Sequence, residues 1–289
     1  MDTLQADRRR LLRLGLASGA ALWPIDQVRA GVPAAALDGA DDHPFAPFGD
    51  AMLAHRKLAY SADTSVTFSW LRGVRYAAVD AVLHPLWTMH LGTVFRTRDL
   101  ADGYEVTAAT TTFYTDIDTG AFLRQVKNPV TGARVDIHYF PPKAQTLVYG
   151  RTGPTQDPAG LTGAFDSRTQ TGPAWIDGDT ISVLGDHIVY SSAGAPAAKH
   201  FRVNDLSTFI GSARDVADPA TPNPPSTMMF NDLNTWPAWL GMGDTPGAYI
   251  SRAWGRKVFA YADMPQLWLA LMAEHHPQAH ADPASLLNP

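Results

Sequence analysis

From Thr64 onward, short runs rich in Val, Thr, Tyr, Phe and Trp alternate with clusters of turn-forming residues. Runs of this kind suit half-buried strands, whose successive side chains point to opposite faces of a sheet. They predict strands over Thr64–Val79, Leu86–Phe95, Tyr104–Tyr114, Phe122–Lys127, Arg134–Phe140 and Gln145–Tyr149. Arg98-Asp99 to Gly103, Asp116 to Gly120 and Asn128 to Gly132 read as turns, and the last two, ending in Thr-Gly, mark consecutive hairpins. Further strands are expected at Thr180–Leu184 and His187–Ser191 about a tight Gly185-Asp186 turn, and at Tyr249–Arg252 and Lys257–Tyr261. Helical spacing occurs in Pro47–Tyr60, through Phe48, Met52, Leu53 and Leu58, and in Met264–His275, with Asp263 as the expected N-cap and Pro265 in the first turn. Residues 150–178 and Asp215–Ser226 read as long loops, the first a candidate lid, and the tail from Pro277 reads as loose.

A meander of many strands has two edges to protect, and closure is the simplest way to protect them. The expected fold is therefore all-β: an antiparallel closed or partly closed barrel, lipocalin- or calycin-like, with a short N-terminal and a C-terminal flanking helix. A β-sandwich is the alternative. A barrel of roughly eight to ten strands encloses one small ligand. Composition supports this class. Glu105 and Glu274 are the only glutamates, and 22 prolines and 23 glycines favour turns between strands over helices.

The N-terminus adds a processing signal. Arg8-Arg9-Arg10-Leu11-Leu12-Arg13 has twin-arginine order, and the uncharged Leu14–Trp23 stretch is too short for the roughly 20 apolar residues of a spanning helix. Val28-Arg29-Ala30 offers small residues at a cleavage site, with Ala36 in reserve. The expected organisation is a signal peptide over 1–30, a flexible leader over 31–46 and a single β-barrel-like domain over 47–289, working in the periplasm or secreted. Removing 1–30 takes away five basic residues (Arg8, Arg9, Arg10, Arg13, Arg29) and three acidic ones (Asp2, Asp7, Asp26), which moves the net charge from -5 to -7. That balance disfavours nucleic acid and stable membrane association, and leaves a hydrophobic or aromatic small molecule as the expected partner, with a homo-oligomer possible. The chain has no cysteine, so disulfides, thiolate metal sites and a cysteine nucleophile are excluded.

Candidate chemistry centres on Arg134-Val135-Asp136-Ile137-His138-Tyr139. Strand alternation puts Arg134, Asp136 and His138 on one face and Val135, Ile137 and Tyr139 on the other. If the polar face points into a barrel, His138 is a general acid or base, Asp136 orients it, and Arg134 holds an anion; if it faces water, the three form a solvated stripe. Trp87 and His90 sit on another strand, Tyr114 is a candidate proton donor, and Tyr149 and Arg252 are candidate binding residues. There is no His-Glu-x-x-His and no Gly-x-Ser-x-Gly motif, and only a scattered set of His90, His138 and His187 offers a metal site.

Two ordered blocks carry a family resemblance. Tyr114 to Gly120 with Asn128-Pro129-Val130-Thr131-Gly132 and Val135-Asp136-Ile137-His138 forms the first. Thr235-Trp236-Pro237-Ala238-Trp239-Leu240-Gly241-Met242-Gly243-Asp244-Thr245-Pro246-Gly247, followed by Arg252-Ala253 and Gly255-Arg256-Lys257, forms the second. Together they resemble the family known as domain of unknown function 1838, over about Asp50 to Pro283. The resemblance implies twin-arginine export and metabolism of aromatic or other lipophilic small molecules, although Lys127 stands where the pattern places an aromatic residue. The expectation is a cofactor-free lyase or isomerase acting inside a barrel. The alternative is a non-catalytic carrier of lipocalin type, which needs the same cavity without convergent ionisable groups.

Overall fold

The computed structural model describes residues 46–47, 51–101, 103–128, 130–139, 141–150, 153–154, 165–191, 202–243 and 245–288. The expected signal peptide and leader lie outside the described residues, apart from Ala46. The chain order is β1 (Ala46–Pro47), α1 (Ala51–Ala59), β2 (Thr67–Val79), β3 (Val82–Leu100), β4 (Gly103–Thr115), β5 (Gln125–Lys127), β6 (Arg134–Asp136), β7 (Ala144–Gly150) and β8 (Gly153–Pro154). It continues with β9 (Phe165–Asp177), β10 (Thr180–Ser191), β11 (Arg202–Ser212), α2 (Ala213–Ala217), β12 (Thr227–Asn234), β13 (Ala248–Val258), α3 (Gln266–His275) and α4 (Pro277–Ala281).

Among these elements, one antiparallel sheet runs β1-β9-β10-β11-β12-β13-β2-β3-β4-β7-β8, and β5 pairs only with β6. The sheet curls 222° round an axis into a half-barrel flanked by N- and C-terminal helices, a lipocalin-like, partly closed barrel as expected. Its ends approach each other where β8 lies against β9. Long strands on a right-handed twist curl in this way, and the curl leaves one concave and one convex face.

The contacts of α1 identify the concave face. Ala54, Leu58 and Ala59 pack on Ala174, Ile181, Val183 and Phe209 of β9 to β11. Met52 and Tyr60 meet Phe95, Tyr104, Val106 and Tyr149 of β3, β4 and β7. Touching both arms of the sheet, α1 must lie inside the curl. The opposite end of the concavity holds Leu240 and Met242, with Trp236, Trp239 and the valines of the β5–β6 hairpin, packed on Ala77, Trp87 and Tyr249. On the convex side, Met264, Trp268, Leu271, Met272, Ala279 and Leu287 cover Phe68, Val94, Ala109 and Phe113. Gly92 makes this possible, because a Cβ there would collide with the Trp268 ring.

Several expected elements are corrected. Gly185-Asp186 is not a turn: β10 runs through it, with a register shift against β9 between Val183 and Gly185. The glycine is needed because the His55 ring covers it, 2.9 Å from where a Cβ would sit. β9 occupies much of the expected loop at 150–178, and Tyr249 to Val258 belong to one strand. Asp263 does not cap α3, whose N-cap is Pro265 without a side-chain bond. The tail is not loose, since Ala279 and Leu287 are buried. The two Thr-Gly turns do form: Asp116 and Asn128 accept backbone N–H bonds from the residues that follow, and Gly120 and Gly132 take φ of 71° and 75°.

Candidate functional site

The residues expected to act together are dispersed. The β5–β6 hairpin turns Val126, Val130 and Val135 inward against Leu240 and Trp87. By alternation Arg134, Asp136 and His138 then face outward, and all three are exposed. Asp136 accepts a bond from Gln125 Nε2 at 2.7 Å instead of orienting His138. The His138 ring lies 6.4 Å from that of Trp239. The three residues form a solvated stripe. His90 is buried on the convex side, its Nε2 2.9 Å from Thr115 Oγ1, and Arg252 is exposed on that same side. Tyr149 is concave but lies under α1, stacked on Tyr104 at 4.8 Å, with its hydroxyl 2.9 Å from that of Tyr60. His90, His138 and His187 sit on three separate surfaces, and no group of three or more His, Asp or Glu placed to hold a metal ion occurs among the described residues.

Trp87 and Tyr114 do reach the concave face, with ring centroids 5.4 Å apart. Trp87 belongs to a polar row that composition does not reveal. Direct register partners run His187 to Asp205, Asp205 to Asp232, Asp232 to Ser251, Ser251 to Arg75 and Arg75 to Trp87. Partners opposite each other share a face, with Cβ atoms about 4.5–5.5 Å apart. Six adjacent strands, β10 to β13 followed by β2 and β3, therefore align an imidazole, two carboxylates, a hydroxyl, a guanidinium and an indole across the concavity.

The row has two distinct halves. Asp232 is buried and fully engaged, pairing with Arg75 Nη1 and accepting from the Ser251 backbone N–H. Arg75 also lies over the Tyr249 ring, 4.7 Å from its centroid. Burial opposes its charge, but Tyr114, Tyr249 and Asp232 together raise its pKa above the ordinary arginine value. Asp205 has no such cation of its own. Burial first, and the Asp232 charge second, push its pKa up to about 7, with Arg75 opposing. His187, opposite Asp205, has its pKa lowered by burial. Arg75 Nε, Trp87 Nε1, His187 Nε2 and Ser251 Oγ have no hydrogen-bond partner. Four of the nine such buried atoms among the described residues thus fall in this one row. Native structures leave few buried polar atoms unpaired, so their concentration singles out this row as the candidate site.

The row beside it is small. Gly185, Ser207, Phe230, Ala253, Gly73 and Met89 are successive register partners, and three of the six are glycine or alanine. The His55 ring covers Gly185 at one end of this row, and Phe230 and Met89 supply its bulk. Arg75, His187, Asp205, Asp232 and Ser251 all lie within residues 64–289, the segment that matches the family model described as protein of unknown function (DUF1838). The chain belongs to the DUF1838 family. No curated protein and no solved structure matches it. Within this DUF1838 chain, the two blocks that carry the resemblance pack together. Asn128 Nδ2 donates to the Leu240 carbonyl at 2.9 Å, and Val135 packs with Leu240. The blocks build one end of the concavity and hold Trp87 in place; they contribute no exposed acid or base to the polar row.

Proposed function

We propose that this protein binds a small molecule on the concave face of the half-barrel, as a non-catalytic carrier of lipocalin type. One observation carries the reading: the row from His187 to Trp87 combines charged groups with four buried polar atoms that lack partners. A ligand with a polar head and an aromatic or lipophilic body suits it, since Phe230, Met89 and Leu71 form an apolar cluster beside the row with Tyr114 packed against it. The test is a thermal-shift screen of phenolic and lipophilic compounds, followed by calorimetry on the hits with wild type, Asp205→Asn and His187→Ala. Binding that weakens in both variants supports the reading. Binding indifferent to both places the ligand elsewhere and defeats it.

A second reading, general acid–base catalysis by a lyase or isomerase, is favoured by the Asp205–His187 pair. Register sets the Asp205 carboxyl, whose pKa burial raises to about 7, opposite the His187 imidazole, an acid and a base on one face of the sheet. In this reading Asp205 and His187 take the roles expected of Asp136 and His138. Turnover of a bound compound by wild type, lost in Asp205→Asn while binding persists, would favour it over the carrier. The arginine-led N-terminus supports a periplasmic or secreted location, tested by fractionating cells that express the wild type and an Arg8→Lys/Arg9→Lys variant.

A further inference from the structure

The convex face carries a second patch with chemistry of its own. On β13, alternation puts Arg252, Trp254 and Arg256 on the face opposite Ser251. Trp254 is the register partner of Arg72 on β2 and of Met229 on β12, and Arg256 is the partner of Trp70. Trp254 is 57 % exposed, Met229 50 %, Leu233 48 % and Leu206 43 %. A tryptophan more than half exposed therefore sits among three exposed arginines, with three large apolar side chains on the two strands beside it. Trp70 packs edge-on to Trp254 at 5.3 Å, and the Arg256 guanidinium lies 5.9 Å from the Trp70 ring centroid. No ion pair to Arg72, Arg252 or Arg256 occurs among the described residues. On the strands the acid in register with the patch is Asp186, opposite Leu206 at its far edge, and Asp263 lines a pocket with Arg256 at the end of β13. Where β2 to β4 are covered by α3 and α4, this part of the same face lies bare.

We infer that this patch docks the protein on an anionic lipid surface. Three exposed arginines without an ion pair among the described residues give the patch a local positive charge in a chain of net charge -5, which favours a partner with local negative charge. The patch lies mid-sheet on a convex surface, so it offers neither a free edge for strand addition nor a groove for a helix. A deformable plane matches that shape. Tryptophan prefers the membrane–water interface, and arginines near anionic headgroups add attraction. The inference is independent of what the concave face binds. It concerns reversible docking; no helix among the described residues is long and apolar enough to cross a membrane.

The test is co-sedimentation of the full chain with vesicles of phosphatidylcholine alone or mixed with phosphatidylglycerol. Wild type is expected to bind the mixed vesicles in a salt-sensitive manner and the neutral ones much more weakly. Arg252→Gln/Arg256→Gln should lose at least about tenfold in affinity, and Trp254→Ser a comparable amount, with melting temperatures unchanged. Arg72→Gln provides an independent variant on another strand. Failure of wild type to bind mixed vesicles overturns the inference. So does wild-type affinity in all three variants, which would assign binding to Arg8–Arg13. A dimer dispersed by Trp254→Ser in sedimentation velocity, without vesicle binding, would give the patch to a second copy and also overturn it.

Discussion

Two buried polar clusters occupy the same concave face, and they differ in how completely their groups are paired. Around α1, Lys57 Nζ donates to the carbonyls of Val216 and Asp218 at 2.9 and 2.7 Å. Lys257 Nζ donates to the carbonyls of Lys57 and Tyr60 at 2.5 and 2.8 Å, closing the C-terminal end of α1 where a cation also suits the helix dipole. Tyr60 bonds Tyr149, and His55 Nδ1 lies 3.3 Å from the Tyr104 hydroxyl. Farther along the same strands, the row from His187 to Trp87 keeps four buried polar atoms without partners. Both clusters involve desolvation: burial lowers the Lys257 pKa to about 7 against the raising effect of Asp63, and raises that of Asp205 to about 7. A perturbed pKa alone does not separate a structural cluster from a binding site. What distinguishes these two is the pairing of their remaining polar atoms.

The comparison can be broken most forcefully at Asp232. Asp232→Ala leaves Arg75 buried without its carboxylate, and a loss of about 3–5 kcal/mol in unfolding free energy by urea titration is expected. Little or no loss would mean that the Arg75–Asp232 pair does not organise the row. Lys257→Met unpairs two carbonyls at the end of α1 and should cost about 1–3 kcal/mol without altering ligand affinity. Asp205→Asn should stabilise the protein at neutral pH. The folded-state pKa is raised, so the folded protein holds a proton that the unfolded chain releases; stability from this group falls as pH rises from about 4 to about 7. Melting temperatures across that window should therefore decline less steeply with pH in Asp205→Asn than in wild type. His138→Ala, at an exposed position, should change stability by no more than about 0.5 kcal/mol and leave binding intact. A large effect there would return the β5–β6 hairpin to the site.

The same residues explain what the sequence revealed and what it hid. β2, β3 and β4 were legible because Val, Thr, Tyr, Phe and Trp recur in them, β13 was legible only at its two ends, and the Thr-Gly turns were legible because Asp116 and Asn128 cap their own loops. β11 and β12 were missed because Asn204-Asp205 and Asn231-Asp232 read as turn formers, which isolated strands disfavour. In the folded chain Asp205 and Asp232 are paired across adjacent strands. The residues that make the candidate site thus disguised the strands that carry it. His187 was misplaced for a related reason: Gly185 signalled a turn, whereas its missing side chain makes room for His55. Arg75 sat in plain view within a predicted strand, but the even positions Phe68, Trp70, Val74 and Tyr76 are the more apolar set, so alternation alone did not turn its face inward. Trp87 and Tyr114, named as candidates, lie on the concave face. His138, Asp136 and Arg134 were grouped correctly by alternation, but only tertiary packing decides which face of a hairpin meets water.

Calorimetric titration of one binding compound against wild type, Asp205→Asn and Lys257→Met bears most directly on the claim that the unpaired row, and not the paired cluster, receives the ligand. Asp205→Asn should weaken binding by about tenfold or more, and Lys257→Met should leave the affinity within about twofold. Loss of affinity in Lys257→Met with none in Asp205→Asn would contradict the account.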